Sequence, residues 1–335
     1  MGDVKFLVTY RMKLFKLLLG IVLCYNLSGN LLAQSKLVPN NLRSIQLTLE
    51  NDFFFFTDKY YTNGVALSYI DPVFKHSPLI YPLSPFVRDN NQIVSGILFR
   101  QNMYTPDDTH LDIDRSGDRP YASTLTISQI AYSFIPERKL RFRTAFTTGL
   151  VGQYALGGIT QGLVHKITPS HPPLGWENQI RNDFLMNYFF EVDKGLWTSS
   201  LMDVILHGET AVGTWQDNVG VGARIRFGHR SPYFSQIAPL GASPRRGFDF
   251  YLTFGADVKA VFYDATMQGG LVFNYEESPH VIERVEVEPI VQQYYSEMGL
   301  SFRRHQIVGK VVLLSPEFIG SGWHRFGSVS YKLWF

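Results

Sequence analysis

The sequence predicts an all-β protein: a transmembrane, antiparallel, up-and-down β-barrel of about twelve strands, with short helical segments in its extracellular loops. Three observations predict it. The chain opens with an export signal, its apolar residues then alternate with period two and never form a long run, and an aromatic-rich alternating strand closes it at Phe335.

At the N-terminus, Arg11, Lys13 and Lys16 precede an apolar stretch at residues 17–25, and Asn26, Ser28 and Gly29 then lead to Ala33-Gln34. Basic, apolar and small-polar zones in that order make a secretory signal over residues 1–33, with cleavage expected after Ala33 and Met12 a candidate start. Residues 34–335 are then one barrel domain. The single cysteine, Cys24, follows Leu23 inside the apolar zone, so it reads as signal core and not as a lipid-attachment site. A mature chain without cysteine has no disulfide and depends on packing or membrane burial.

Beyond the signal no apolar run reaches eighteen residues, the length a membrane helix needs. A closed barrel is the remaining way to cross a bilayer. Alternation is plainest in NVGVGARIRFG, where Val219, Val221, Ala223, Ile225 and Phe227 share one face and Arg224 and Arg226 the other. KLRFRTAFTTGL repeats it, with Leu140, Phe142, Phe146 and Leu150 expected outward and Arg141, Arg143, Ala145 and Thr147 toward the lumen. At the end, Val329, Tyr331, Leu333 and Phe335 alternate in the manner of the terminal strand of bacterial outer-membrane barrels. Segments of this character fall at 44–52, 60–71, 93–104, 121–134, 139–152, 181–194, 199–213, 217–229, 247–262, 288–303, 304–315 and 323–335. The count is even, as bacterial single-chain barrels require. Connections 72–92 and 230–246 are longer than the short periplasmic turns expected.

Composition narrows the function. With 31 basic and 29 acidic residues the net charge is +2, which is no electrostatic footprint for nucleic acid. Side chains are 45% hydrophobic, 15% aromatic and 18% charged, a balance suited to a packed or membrane-buried chain.

The functional signal lies in ENDFFFFTDKYYTNG, residues 50–64, where Glu50, Asn51, Asp52, Thr57, Asp58, Thr62 and Asn63 bunch around four consecutive phenylalanines. Closely spaced hard oxygens suit a cation such as Ca²⁺, and the aromatic run suits a membrane interface. With both ends of the barrel in the periplasm, this motif, SGDRPYAS at 116–123 and the long segment 153–180 all fall at the extracellular end. In that segment Gln161 and His165 stand four apart, on one face if helical, and Trp176, Asn178 and Gln179 follow a proline-rich turn.

In this order, Asn51-Asp52, Tyr61-Thr62-Asn63-Gly64, Gly117-Asp118-Arg119, Gln161 with His165, and Trp176 with Gln179 resemble the lipid A deacylase family of bacterial outer membranes, across nearly the whole mature chain. The resemblance implies Ca²⁺-dependent hydrolysis of the 3'-acyloxyacyl ester of lipid A in lipopolysaccharide at the bacterial outer membrane, by a mechanism that a monomer can run. It implies Asn51, Asp52, Thr62, Gln161 and His165 as active-site residues, with Asp52 and Asn51 on the metal, and Asp118, Arg119, Trp176 and Gln179 as substrate-binding candidates. Departures are visible. An acidic residue several positions after the histidine and a lysine after Tyr104 are expected, whereas this chain has Ser170-His171 and Asp107, Asp108, Asp112 and Asp114; Lys166, Arg115 and Arg119 are alternative sources of positive charge.

Two other readings fit parts of the chain. A non-catalytic porin or structural barrel explains lumenal arginines but not the polar cluster at one end. A serine-type lipid esterase needs a histidine two residues before a serine on one strand, and only His229-Arg230-Ser231 has that spacing, at the periplasmic end where a turn is expected.

Overall fold

The computed structural model describes residues 43–55, 57, 59–107, 117–167, 174–228, 233–235, 239, 248–273 and 278–335, the side chains of Val164, His165 and Ile167 excepted. The signal segment, the cleavage point and Ser231 lie outside the described residues. Strands β1 (Ser44–Asn51), β2 (Tyr60–Ile70), β3 (Ile93–Thr105), β4 (Ala122–Ile135), β5 (Leu140–Val151), β6 (Asp183–Thr198), β7 (Met202–Gly213), β8 (Gln216–Phe227), β9 (Phe248–Asp264), β10 (Ile290–Phe302), β11 (His305–Leu314) and β12 (His324–Trp334) pair with their chain neighbours. The sheet closes where β12 pairs antiparallel with β1, Ser44 opposite Trp334, so every strand has two partners and the barrel no edge. No helix among the described residues is long and apolar enough to cross a membrane. Among the described residues the α-helices are short: α1 (Ile80–Leu83), α2 (Gly157–Ile167) and α3 (Ala265–Gln268).

Alternation sorts side chains as expected. Val219, Val221, Ile225 and Phe227 of β8 are exposed on the outer wall, as are Val329, Tyr331 and Phe335 at the C-terminus, while Arg224 and Arg226 line the lumen. The lumen holds two cavities of about 470 and 440 Å³ that share Glu50, Arg100, Glu191, Glu209 and Lys310. Several of its charges are paired: Asp193 lies 2.8 Å from His207 Nδ1 and 3.5 Å from Arg224, and Lys259 lies 2.8 Å from Glu209. Such pairing is what makes ionised groups tolerable in a confined interior.

Phe142 has the outward parity expected, yet it is only 7% exposed, because the long β2–β3 connection folds back over the outer wall. Asp71 caps its first turn, accepting the Val73 N–H at 2.9 Å. Ile80 and Leu83 of α1, with Val87, then pack on Phe142 and Ala131.

At the other end the loops interlock over the mouth. Val287 pairs with Phe318, and Tyr60, Met267, Ile282, Val287 and Phe318 form an apolar plug. Arg119, wholly buried, ties three loops together: its guanidinium lies 2.9 Å from Glu317, donates to Thr266 Oγ1 at 2.9 Å, and stacks 4.4 Å from the Tyr104 ring.

Candidate active site

Parity locates the site residues on the outside of the barrel. On β1, Gln46, Thr48 and Glu50 line the lumen, so Asn51 faces out. On β3, Arg100, Asn102 and Tyr104 line it, so Gln101, Met103 and Thr105 face out. On β4, Thr126 and Ser128 are lumenal, which turns Ser123 outward with the exposed Leu125 and Ile127. On β2 a bulge intervenes: Tyr61 pairs with Tyr104 inside, but the next paired residue is Asn63, opposite Met103. The extra residue, Thr62, lets two successive side chains face the same way. Asn63 thus lies opposite Asn51, and Thr62 Oγ1 lies 2.5 Å from Thr105 Oγ1.

A row of amide and hydroxyl groups on a lipid-facing wall runs against the apolar band of a membrane barrel. It is covered from both sides. On one side β1 runs into a 3₁₀ turn, Asp52–Phe55. Asn51 Oδ1 accepts the Phe53 N–H at 2.6 Å, and Asp52, 1% exposed, accepts the Lys59 N–H at 2.8 Å. Phe53 and Phe54 remain exposed, and Gly327 of β12 leaves room for the Phe54 ring. The Lys59 ammonium lies 2.5 Å from Asp107 across the rim; that hydrogen bond, opposed by partial burial and assisted by the carboxylate's charge, holds its pKa above the ordinary value.

On the other side lies α2, whose first turn sits against β4. The Gly157 N–H donates to Ser123 Oγ at 3.3 Å, and Gln101 Nε2 donates to the Ala155 carbonyl at 2.6 Å. Gly157 and Gly158 pack on Trp176, whose indole also contacts Tyr121 and Met103. Trp176 Nε1 donates to Gln161 Oε1 at 2.7 Å, while Gln179 Nε2 donates to the Trp176 carbonyl at 2.8 Å. His165 lies on α2, one turn beyond Gln161; its side chain is outside the described residues.

Asn51, Asp52 and Thr62 therefore stand on one side of the β3 outer face, and Gln161, Trp176 and Gln179 on the other. Arg119 and Asp118 do not join them. Arg119 turns into the mouth, and Asp118 serves its own loop by accepting the Arg119 N–H at 2.7 Å and the Asp107 N–H at 2.9 Å. Arg115, Asp108, Asp112, Asp114 and Ser170-His171 lie outside the described residues. Thr105, Ser123 and the outward turn of Asn63 were not legible: Ser123 and Thr105 end ordinary alternating strands, and only the bulge, signalled weakly by the Asn63-Gly64 pair, reorients Asn63.

For a cation the donor set is oxygen only. Among the described residues no three His, Cys, Asp or Glu cluster, so one carboxylate, Asp52, stands with carboxamides and backbone carbonyls. Asn63 Oδ1, opposite Asn51, is buried without a hydrogen-bond partner among the described residues. A buried acceptor left over opposite Asn51, the chain neighbour of Asp52, fits a hard cation such as Ca²⁺, which takes six to eight oxygens in flexible geometry.

A closed twelve-stranded barrel with an apolar outer band and a polar, covered site on its outward wall defines an outer-membrane protein. The profile of the family "Outer membrane protein LpxR" matches residues 17–335, and the chain belongs to that family. Among solved structures it is similar to LpxR from Salmonella typhimurium, with 18% identity over 87% of this chain and 100% of that one and a TM-score of 0.69. It is also similar to the β domain of the Bordetella autotransporter BrkA, with 8% identity over 87% and 97% of the two chains and a TM-score of 0.42. No curated protein sequence matches the chain.

Proposed function

We propose that this protein is an outer-membrane lipid A deacylase that hydrolyses the 3'-acyloxyacyl ester of lipid A. The observation that carries the reading is the position of the polar row: it faces the outer-leaflet side of the wall, between the exposed Phe53 and Phe54 and the exposed Ile159 and Leu163 of α2. An acyl ester reaches such a site laterally from the membrane, without passing through the lumen. Family membership supports the same reading, and the interlocked mouth loops favour it over a pore.

In this mechanism His165 is the general base that takes a proton from water, a role suited to an imidazole with an ordinary pKa of about 6.5. Thr62, held by Thr105, and Gln161, held by Trp176, orient that water and the ester. Asp52 with Asn51, joined by Asn63, would hold Ca²⁺, which when bound polarises the ester carbonyl and stabilises the developing oxyanion. The apolar flanks keep the acyl chains out of water.

The test incubates the purified barrel with lipopolysaccharide, with and without a calcium chelator, and follows the mass of the lipid A product. Loss of a hydroxyacyl unit carrying its secondary chain is expected, abolished by His165→Ala and by chelation. Turnover that survives both changes overturns the mechanism, and no turnover by the intact protein with calcium present overturns the activity.

A further inference from the structure

The β2–β3 connection does more than close a turn. It lies at the end of the barrel that carries both termini, opposite the candidate site, and covers the outward faces of β4, β5 and β6. Three polar side chains there are bonded to it and not to lipid. Gln129 donates to the Phe74 carbonyl at 3.1 Å and accepts Ser77 Oγ at 2.8 Å; Tyr188 Oη donates to the Pro82 carbonyl at 2.6 Å; and Thr144 Oγ1 donates to the Leu83 carbonyl. A wall that presents hydroxyl and amide groups is unfavourable against hydrocarbon, so the segment stands where lipid would otherwise touch the barrel.

Its own outer surface is apolar. Tyr81 is 68% and Phe86 61% exposed, and Val73, in the first turn of the segment, is exposed too. The Phe86 ring lies 5.1 Å from Phe142 and 5.9 Å from Phe190, so it continues the outward apolar surface of the strands. Charged groups border it: the Arg88 guanidinium lies 5.9 Å from the Tyr81 ring, Lys75 Nζ donates to the Asn90 carbonyl at 3.0 Å, and the exposed Asp89 offsets part of their charge. An amphipathic ring at the polar edge of an apolar face, with a basic group beside it, is the chemistry of a phospholipid headgroup boundary.

We infer that residues 72–88 form an interfacial wedge that docks the barrel on glycerophospholipids of the periplasmic leaflet, with Tyr81, Phe86 and Val73 among the upper acyl carbons and Arg88 and Lys75 at the phosphates. The site is continuous with the lipid-facing strand rows and lies at the other end of the barrel from the deacylase site. It therefore stands or falls apart from the proposed activity.

Tyr81→Cys and Phe86→Cys, made separately on a Cys24→Ser background and labelled with bimane, test it after refolding into phosphatidylglycerol–phosphatidylcholine vesicles. Both side chains are largely exposed, and Tyr81→Cys leaves the contacts of the Phe86 ring with Phe142 and Phe190 in place. Bromines near the glycerol end of the acyl chains are expected to quench about twofold more than bromines near the chain ends, matching a depth of roughly 5–10 Å. Aqueous iodide is expected to quench them far less than the same label at Val285→Cys, in an exposed loop at the mouth. Iodide quenching equal to Val285→Cys, with no effect of bromolipid, overturns the wedge and leaves water or a protein partner as its occupant. Retention of spin-labelled phosphatidylglycerol is expected to fall about fivefold for each of Lys75→Gln and Arg88→Gln, whereas unchanged retention in both overturns the assignment of the headgroup.

Discussion

Gly157→Ala separates the position of α2 from its stability. A Cβ built at Gly157 meets Ser123 Cβ at 2.4 Å, Ser123 Oγ at 2.7 Å and the Trp176 ring at 2.7 Å. Ordinary carbon contacts are about 3.5–4.0 Å, so the helix must lift from β4 by roughly 1 Å. Overpacking of this kind costs about 1–3 kcal/mol, and the exchange of glycine for alanine in a helix returns about 1 kcal/mol. The net cost to folding is therefore about 0–2 kcal/mol. Catalysis is expected to suffer far more, since displacing a positioned group by 1 Å costs about 100-fold, and α2 carries both Gln161 and His165. The assay is the rate of lipid A mass loss alongside the heat-modifiable migration of the barrel. Gly162→Ala is the control, because a Cβ there meets nothing within 4 Å, and it is expected to keep wild-type turnover. A Gly157→Ala enzyme within about threefold of wild type would refute the claim that the seat of α2 on Ser123 and Trp176 sets the site geometry.

Three further outcomes are expected. Thr105→Val removes the hydroxyl that partners Thr62 and is expected to lower kcat about tenfold, worth roughly 1–1.5 kcal/mol, while Thr105→Ser restores it; steady-state kinetics of the pair check this. Arg119→Met leaves Glu317 and Thr266 without their shared partner in the mouth, and is expected to destabilise the interlocked loops by about 2–4 kcal/mol, seen as faster proteolysis there with barrel closure intact. The Lys59–Asp107 pair is partly exposed and is expected to contribute little. Because the lysine's pKa is raised in the folded protein, that contribution is complete below its ordinary value of about 10.4 and is lost as pH rises through the folded value. Turnover and rim proteolysis of Lys59→Met are therefore expected to differ slightly from wild type below about pH 10.4 and to converge only as pH passes the lysine's raised folded value.

Much of the barrel was legible because strand identity is local. A period-two pattern such as residues 217–227 puts arginines on one face and valines on the other before any partner strand is specified, and the observed strands begin and end close to the segments expected. The motifs around Asn51, Thr62 and Gln161 could likewise be assigned to one end, since counting strands fixes the end of each loop. The side of the wall could not be counted. Arg119 and Gln161 share an end of the barrel, yet Arg119 turns inward to Glu317 and Gln161 outward to Trp176.

The sequence by itself therefore determined a closed, lipid-embedded barrel, the order of its strands and the loops that carry polar motifs, because backbone hydrogen bonding in a membrane and alternation along a strand leave few alternatives. Tertiary structure alone decided that the bulge at Thr62 turns Asn63 outward, that α2 seats its glycines on Ser123, and that the β2–β3 connection covers Phe142. Each of those depends on which atoms meet across strands distant in the chain, and a close contact of that kind leaves no period in the sequence.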